Sequence, residues 1–349
     1  MTGLAREKRI VVTIQHPAHV HVFKHPIAML ESQGYEVHVF ARERPLISHL
    51  LDNIDIDYQI IARQTSSLPQ LAATQCAYEF RLLREIRALQ PVVAIAIGEP
   101  SVAHASSLLD CRSIVLTDTE HAKLQNGITF PFADIICTPS SYWDELGAKQ
   151  VRYPGFHELA YLHPHRFIPD ESVADLLPDT GGHPLVLLRL VSWAAAHDVG
   201  QTGIAQVASL IHELEAMGAT VVISAESPLP PSLANHRLDI PPHAIHDFLH
   251  QADLIIGESA TMAIESAILG TPALYISSLH AGVLEELEAR YGLLYRLPEG
   301  ATPKEVATRA KAIINKSPSV WEKRRKKLLD EKIDTASFIV NTVKGVASS

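Results

Sequence analysis

The side chains able to do chemistry fall in short clusters, and the richest is DLIIGESATMAIESAILGTPALYI at 253–276. It reads as a buried strand, a polar turn, a buried helix and a second buried strand. Ser259, Ala260 and Thr261 open the helix, and the free N–H groups of a helix's first turn form a natural anion site. With the Ser259 and Thr261 hydroxyls, those groups could hold a diphosphate; the same residues would equally serve as a plain helix cap. Glu258 beside them would repel a phosphate unless its carboxylate points away. Further along, Glu265 stands among Met262, Ala263, Ile264, Ile268 and Leu269. A carboxylate on so apolar a helix is costly unless something pairs with it. At about 1.5 Å rise per residue it lies roughly 9 Å beyond Ser259. A nucleotide with its phosphates on the turn would present its ribose hydroxyls at that reach.

Three other clusters follow predicted strands. In QHPAHVHVFKH at 15–25, four histidines invite a metal reading. Only His21 and His25 share a helix face, and no carboxylate stands at a supporting offset, so no metal site is expected. Imidazole titrates near neutrality, which makes His19 and His21 candidates for acid/base work or substrate contact; they could equally be solvated or capping residues. In TDTEH at 117–121, Asp118 lies nearest the strand end, either as an acid/base partner or as a turn-forming acid. In RLVSWAAAHD at 189–198, Arg189 suits a phosphate through bidentate contacts, or an ordinary salt bridge. His197 and Asp198 could form a loop pair or aim an imidazole at substrate.

These clusters need elements that bring them together. Candidate strands lie at Ile10–Ile14, Glu36–Phe40, Tyr58–Ile61, Val92–Ile97, Ser113–Leu116 and Asp134–Cys137, with helices near 19–33, 45–52, 68–89, 99–109 and 140–146. A second series has strands at Leu185–Leu188, Thr220–Ser224, Asp253–Ile256 and Ala273–Ile276. Its helices lie near 201–217, 243–251, 260–269 and 281–290, before helical stretches at 302–315 and 319–345. Such alternation implies parallel sheets covered by helices, which bind ligands beyond the carboxyl ends of their strands. The expected organisation is an α/β chain of two doubly wound, Rossmann-like domains facing across a cleft. They span 1–155 and 183–318, joined by a Pro- and His-rich linker at 156–182 and closed by a helix at 319–349.

The 349 residues, 47% hydrophobic and 20% charged, are enough for two cores. A formal net charge of −9 argues against a general nucleic-acid binder. Cys76, Cys111 and Cys137 form no C-x-x-C pair, and neither a signal peptide nor a spanning segment is visible, so a cytoplasmic protein with reduced thiols is expected. The basic run Lys323–Lys327 reads as a solvated helix face or as a peripheral contact with an anionic membrane surface.

The motifs HPAHVHVFK, LTDTEHAKLQNGITFPFADIICTP, YPGFHELAYLHPHRFIPD, RLVSWAAAHDVG and ADLIIGESATMAIESAILGTPAL, in this order over nearly the whole chain, resemble the family known as domain of unknown function 354. That family is similar to members of the GT-B superfamily, alongside UDP-N-acetylglucosamine 2-epimerases and the lipid-linked N-acetylglucosaminyltransferase of peptidoglycan synthesis. In those enzymes a Glu seven residues before a Pro holds the nucleotide ribose, and the matching residue is Glu265, seven before Pro272. Their turn serines or glycines meet the diphosphate and match Ser259 and Ala260. His21-Val22-Phe23 looks similar to a His-Val-Phe of the transferase. Gln15-His16-Pro17-Ala18 stands where that enzyme has a glycine-rich loop. The resemblance implies a glycosyltransferase using a nucleotide sugar, UDP-linked, to build cell-surface or lipid-linked glycans. The alternatives are a UDP-sugar 2-epimerase and a non-catalytic nucleotide-sugar-binding protein. In this reading Arg189, His197, Ser259, Ala260, Thr261 and Glu265 bind substrate, and His19, His21 and Asp118 are the catalytic candidates. No cofactor is expected beyond the nucleotide sugar itself.

Overall fold

The computed structural model describes residues 8–63, 68–191, 204, 206–225 and 228–348. The chain forms two units: one running to Arg166 that also takes up Lys332–Ser349, and a second spanning Phe167–Glu331.

The first unit is built on β1 (Arg9–Ile14), α1 (Pro17–Ser32), β2 (Glu36–Glu43), α2 (Pro45–Asn53), β3 (Tyr58–Arg63), α3 (Leu68–Leu89), β4 (Val93–Ile97), α4 (Pro100–Leu108), β5 (Arg112–Leu116), α5 (Lys123–Thr129), β6 (Ile135–Pro139), β7 (Gln150–Tyr153) and α6 (Leu159–Leu162). Its sheet has seven strands in the order β3-β2-β1-β4-β5-β6-β7, every pair parallel. Ile10, Val11 and Val12 are all buried, as both faces of a helix-covered parallel sheet require. The strand order reverses between β1 and β4, so a ligand crevice is expected beyond their carboxyl ends. Gln15–His19 and Gly98-Glu99 stand there.

The second unit comprises β8 (Leu185–Leu190), α7 (Val207–Ala216), β9 (Thr220–Ala225), α8 (Ile245–Gln251), β10 (Leu254–Gly257), α9 (Ala260–Leu269), β11 (Ala273–Ile276), α10 (Gly282–Glu286), β12 (Leu294–Leu297), α11 (Pro303–Ile314) and α12 (Pro318–Glu331). Its order is β12-β11-β10-β8-β9, again all parallel. The reversal falls between β8 and β10, which end at Leu190, just past Arg189, and at Gly257, just before the Ser259 turn. Gly257 permits their close approach: a Cβ there would sit 2.7 Å from Arg189 Cβ and 2.8 Å from its carbonyl oxygen.

Several sequence expectations need correction. Residues 140–146 are turns, and the helix of that region is α5, earlier in the chain. The short strands β7 and β12 carry polar residues on a sheet edge, so they lack the apolar run that marked the others. The 319–349 segment is not one helix: α12 ends at Glu331 and α13 (Thr335–Ala347) begins afresh, capped by Asp334, which accepts from the N–H groups of Ala336 and Ser337. Arg166 grips the same Asp334 at 2.6 Å, and Thr335 donates to the Phe156 carbonyl at 2.7 Å, so α13 belongs to the first unit. The expected linker at 156–182 also divides. Phe156 and Leu159–Leu162 are fully buried, α6 packs on α1 and α13, and the chain passes to the second unit only after Arg166.

The basic run on α12 is largely committed to helix ends. Arg324 donates to the Gly292 carbonyl and, at 2.8 Å, to the Tyr295 hydroxyl. Arg325 caps the end of α9 through the Ile268 carbonyl at 3.0 Å, and Lys327 caps the Arg290 carbonyl at 2.9 Å. Lys326 pairs with Asp330 at 2.6 Å. Among the described residues no helix is long and apolar enough to cross a membrane.

Candidate functional site

In the second unit, Ser259 caps α9 by accepting from the Met262 N–H at 3.3 Å. A hydroxyl that accepts can still donate. The cap leaves the N–H groups of Ala260 and Thr261 at the helix's first turn, both residues being partly exposed. Gly270 ends the helix in the left-handed region, at φ 97°, as a glycine C-cap should. Arg189 reaches across to β9 and donates to Ser224 at 3.0 Å. Glu258 does not present a bare charge to this turn. Its buried carboxylate accepts from Val191 N–H at 3.2 Å and from Ile204 N–H. His197 lies outside the described residues.

Glu265 is buried, as the apolar helix demands, and His246 of α8 donates to its Oε1 at 3.0 Å. Phe167 sets its ring edge-on to His246 at 6.3 Å. His246 went unnoticed in the sequence. Its one signal was its position in IHDFLHQ, two residues ahead of the buried pair Phe248-Leu249.

In the first unit the structure gathers His19, Asp118 and an unexpected third residue, His157. His157 Nδ1 donates to Asp118 Oδ2 at 3.2 Å, and Thr119 donates to Oδ1 at 3.0 Å. Burial pushes the Asp118 carboxyl up, but the His157 charge and these hydrogen bonds outweigh it and hold the group below the ordinary range. The Tyr153 ring stacks on His157 at 6.4 Å and 21°, and the buried Nε2 of His157 has no hydrogen-bond partner among the described residues. His19 is driven well below the usual imidazole value, first by burial, then by the charges of His16 and His157, with Asp118 opposing. His21 is turned elsewhere, with its ring 5.3 Å from that of Tyr161. His16 caps α1 through the Ala18 N–H at 3.2 Å, and burial takes His25 down to about 4.

A second feature missed in the sequence is Glu99, between Gly98 and Pro100 at the end of β4. It is 2% exposed and bonded to Thr13 of β1. Burial raises its carboxyl above the ordinary range against the hydrogen bonds of Thr13, Tyr78 and Gln15 and the Arg42 charge. An acid two residues past the end of a buried strand was the available signal.

The chain that forms these two doubly wound units is matched by a family model, "Protein of unknown function (DUF354)", over residues 8–345. The chain belongs to this family. It is 23% identical over 273 residues to an uncharacterised protein of Methanocaldococcus jannaschii, covering 75% of this chain and 79% of that protein. Among solved structures it is similar to one from Listeria monocytogenes described as a UDP-N-acetylglucosamine 2-epimerase, with TM-score 0.71, 13% identity and coverage of 96% of this chain and 95% of that one. It is also similar to the spinosyn forosaminyltransferase SpnP, with TM-score 0.66, 14% identity and coverage of 98% and 100%. The fold is therefore the GT-B type, shared by nucleotide-sugar glycosyltransferases and epimerases.

Proposed function

We propose that this protein is a nucleotide-sugar-dependent glycosyltransferase acting from the cytoplasm on a hydroxyl acceptor, in cell-surface or lipid-linked glycan synthesis. One observation carries the reading. At the switch point of the second sheet, Arg189 lies at the end of one strand, α9 opens directly after the neighbouring strand, and Glu265 is buried on that helix. A diphosphate would rest on the Ala260 and Thr261 N–H groups with Arg189 as counter-charge. The ribose hydroxyls would donate to Glu265, whose orientation His246 fixes. The same N–H groups and Arg189 would meet the charge that develops on the departing diphosphate, so the reading calls for no metal. In the first unit, Asp118 holds the Nδ1–H of His157 and leaves Nε2 to take the proton of the acceptor hydroxyl. In this reading Asp118, one of the three catalytic candidates, orients a base, and His21 is given no role. A lipid-linked acceptor would bring the protein to a membrane surface, but the α12 basic run, mostly engaged in capping, is not our choice for that contact.

The test is calorimetric titration with UDP-, dTDP- and GDP-sugars, with Glu265→Gln beside the native chain. Binding of one nucleotide class, weakened by the substitution with the fold retained, supports the proposal; binding unaffected by Glu265→Gln removes the ribose assignment. A sugar epimerase is the second reading, since the chain is similar to epimerase structures as well as to glycosyltransferases. Incubating the native protein with UDP-N-acetylglucosamine alone separates the two, since only an epimerase yields a new sugar signal by NMR without an acceptor.

A further inference from the structure

The imidazoles of the first unit are held differently. His157 gives its Nδ1–H to Asp118, so in the neutral ring the lone pair lies on Nε2. His19 has the opposite arrangement. Its Nδ1 receives the Gln15 backbone N–H at 3.5 Å, and a nitrogen facing a donor is the unprotonated one. The proton of the neutral ring is therefore on Nε2. His19 sits in the first turn of α1, where the β1–β4 reversal places the crevice, and it is partly exposed. The groups acting on it come from every side: His16 on its own helix, His157 after β7, Asp118 after β5, and Arg44 at the start of α2. Burial, His16, His157 and Arg44 favour the neutral ring, and Asp118 alone favours the charged one.

We infer that His19 is a neutral hydrogen-bond donor, aiming Nε2–H at a sugar or acceptor oxygen, and that the Asp118–His157 pair holds its electrostatic setting. This rests on the nucleotide-sugar reading for the identity of the ligand, but the state of the ring can be measured without any ligand. A donor and a base differ in one respect: glutamine can replace the first and not the second.

Long-range nitrogen–proton NMR on the native full-length protein reads the His19 tautomer. It should show Nε2–H, with titration well below the ordinary imidazole range. His157→Asn, whose amide stands near the place of Nδ1, should move that titration upward by removing one of the groups that lower it. Asp118→Asn should move it further down. In nucleotide-sugar consumption, His19→Gln should stay within about threefold of native, whereas His19→Ala should lose about 5- to 10-fold, the worth of one neutral hydrogen bond. The inference is overturned by an Nδ1–H tautomer, by a His19 titration that neither neighbouring variant moves, or by a His19→Gln loss of the roughly 10²–10⁴-fold typical of a missing base. If no nucleotide sugar binds the native protein, the proposed function falls, while the tautomer and titration results still decide the state of His19.

Discussion

His246 donates to one oxygen of Glu265, and a carboxylate can accept about four hydrogen bonds. The internal partner thus offsets the cost of burying the acid without using up its acceptor capacity. Glu265→Gln keeps a side-chain oxygen for His246 but loses the charge. Nucleotide affinity should fall about 10- to 100-fold by calorimetry, since hydrogen bonds to a charged group are worth about 1.5–3 kcal/mol. Glu265→Ala also strands the His246 N–H, so its denaturation midpoint should drop with a stability loss of about 1–3 kcal/mol. Titration adds a second prediction at this scale. Burial holds the His25 imidazole at about 4, below its ordinary value of 6.5, so the unfolded chain binds its proton first. The His25 contribution is complete above about pH 6.5 and is lost as pH falls toward the folded value. His25→Asn should therefore flatten the decline of stability between those two pH values, measured as urea midpoint against pH.

The helix α9 is defined at both ends by single residues. Ser259 caps the start, and Gly270 at φ 97° closes it, where a Cβ would lie 2.8 Å from Arg325 Cδ. Gly270→Ala meets both the left-handed backbone and the Arg325 stem, and should destabilise the protein by more than about 1 kcal/mol, read from the thermal midpoint. Gly257→Ala strikes Arg189 backbone and Cβ, which cannot move aside as a flexible side-chain tip can. It should depress nucleotide binding as well as stability, because it displaces the strand end that carries Arg189. These element boundaries were legible beforehand: N-cap serine, apolar interior and Gly-Thr-Pro stop give the same limits as the structure. The break at 332–334 was harder to see. Asp334 is an ordinary capping type, but its hold on Arg166 spans 168 residues of sequence, and no local pattern reports such a partner.

The terminal helix α13 contributes Ala336, Ile339, Val340 and Val343 to the core of the first unit. A chain ending at Glu331 should lose far more stability than the roughly 0.5 kcal/mol of a surface change. The loss should appear in hydrogen exchange across β1–β7 before it appears in β8–β12. Alternation of apolar strands and amphipathic helices was enough to read two parallel sheets, because each buried strand advertises itself within its own few residues. The clusters after β1, β5, β8 and β10 were likewise visible, because polar residues directly after a buried strand are local facts. What only the tertiary structure decided is who meets whom. His157 reaches Asp118 because β7 lies beside β6 and returns its chain to the same sheet end. His246 reaches Glu265 because α8 packs on α9. Glu258 reaches Val191 at the end of β8 because β10 and β8 are neighbours. A sequence carries the type and spacing of its side chains, but hydrogen bonds between distant elements depend on strand order, and strand order is settled by the joint packing of the whole sheet.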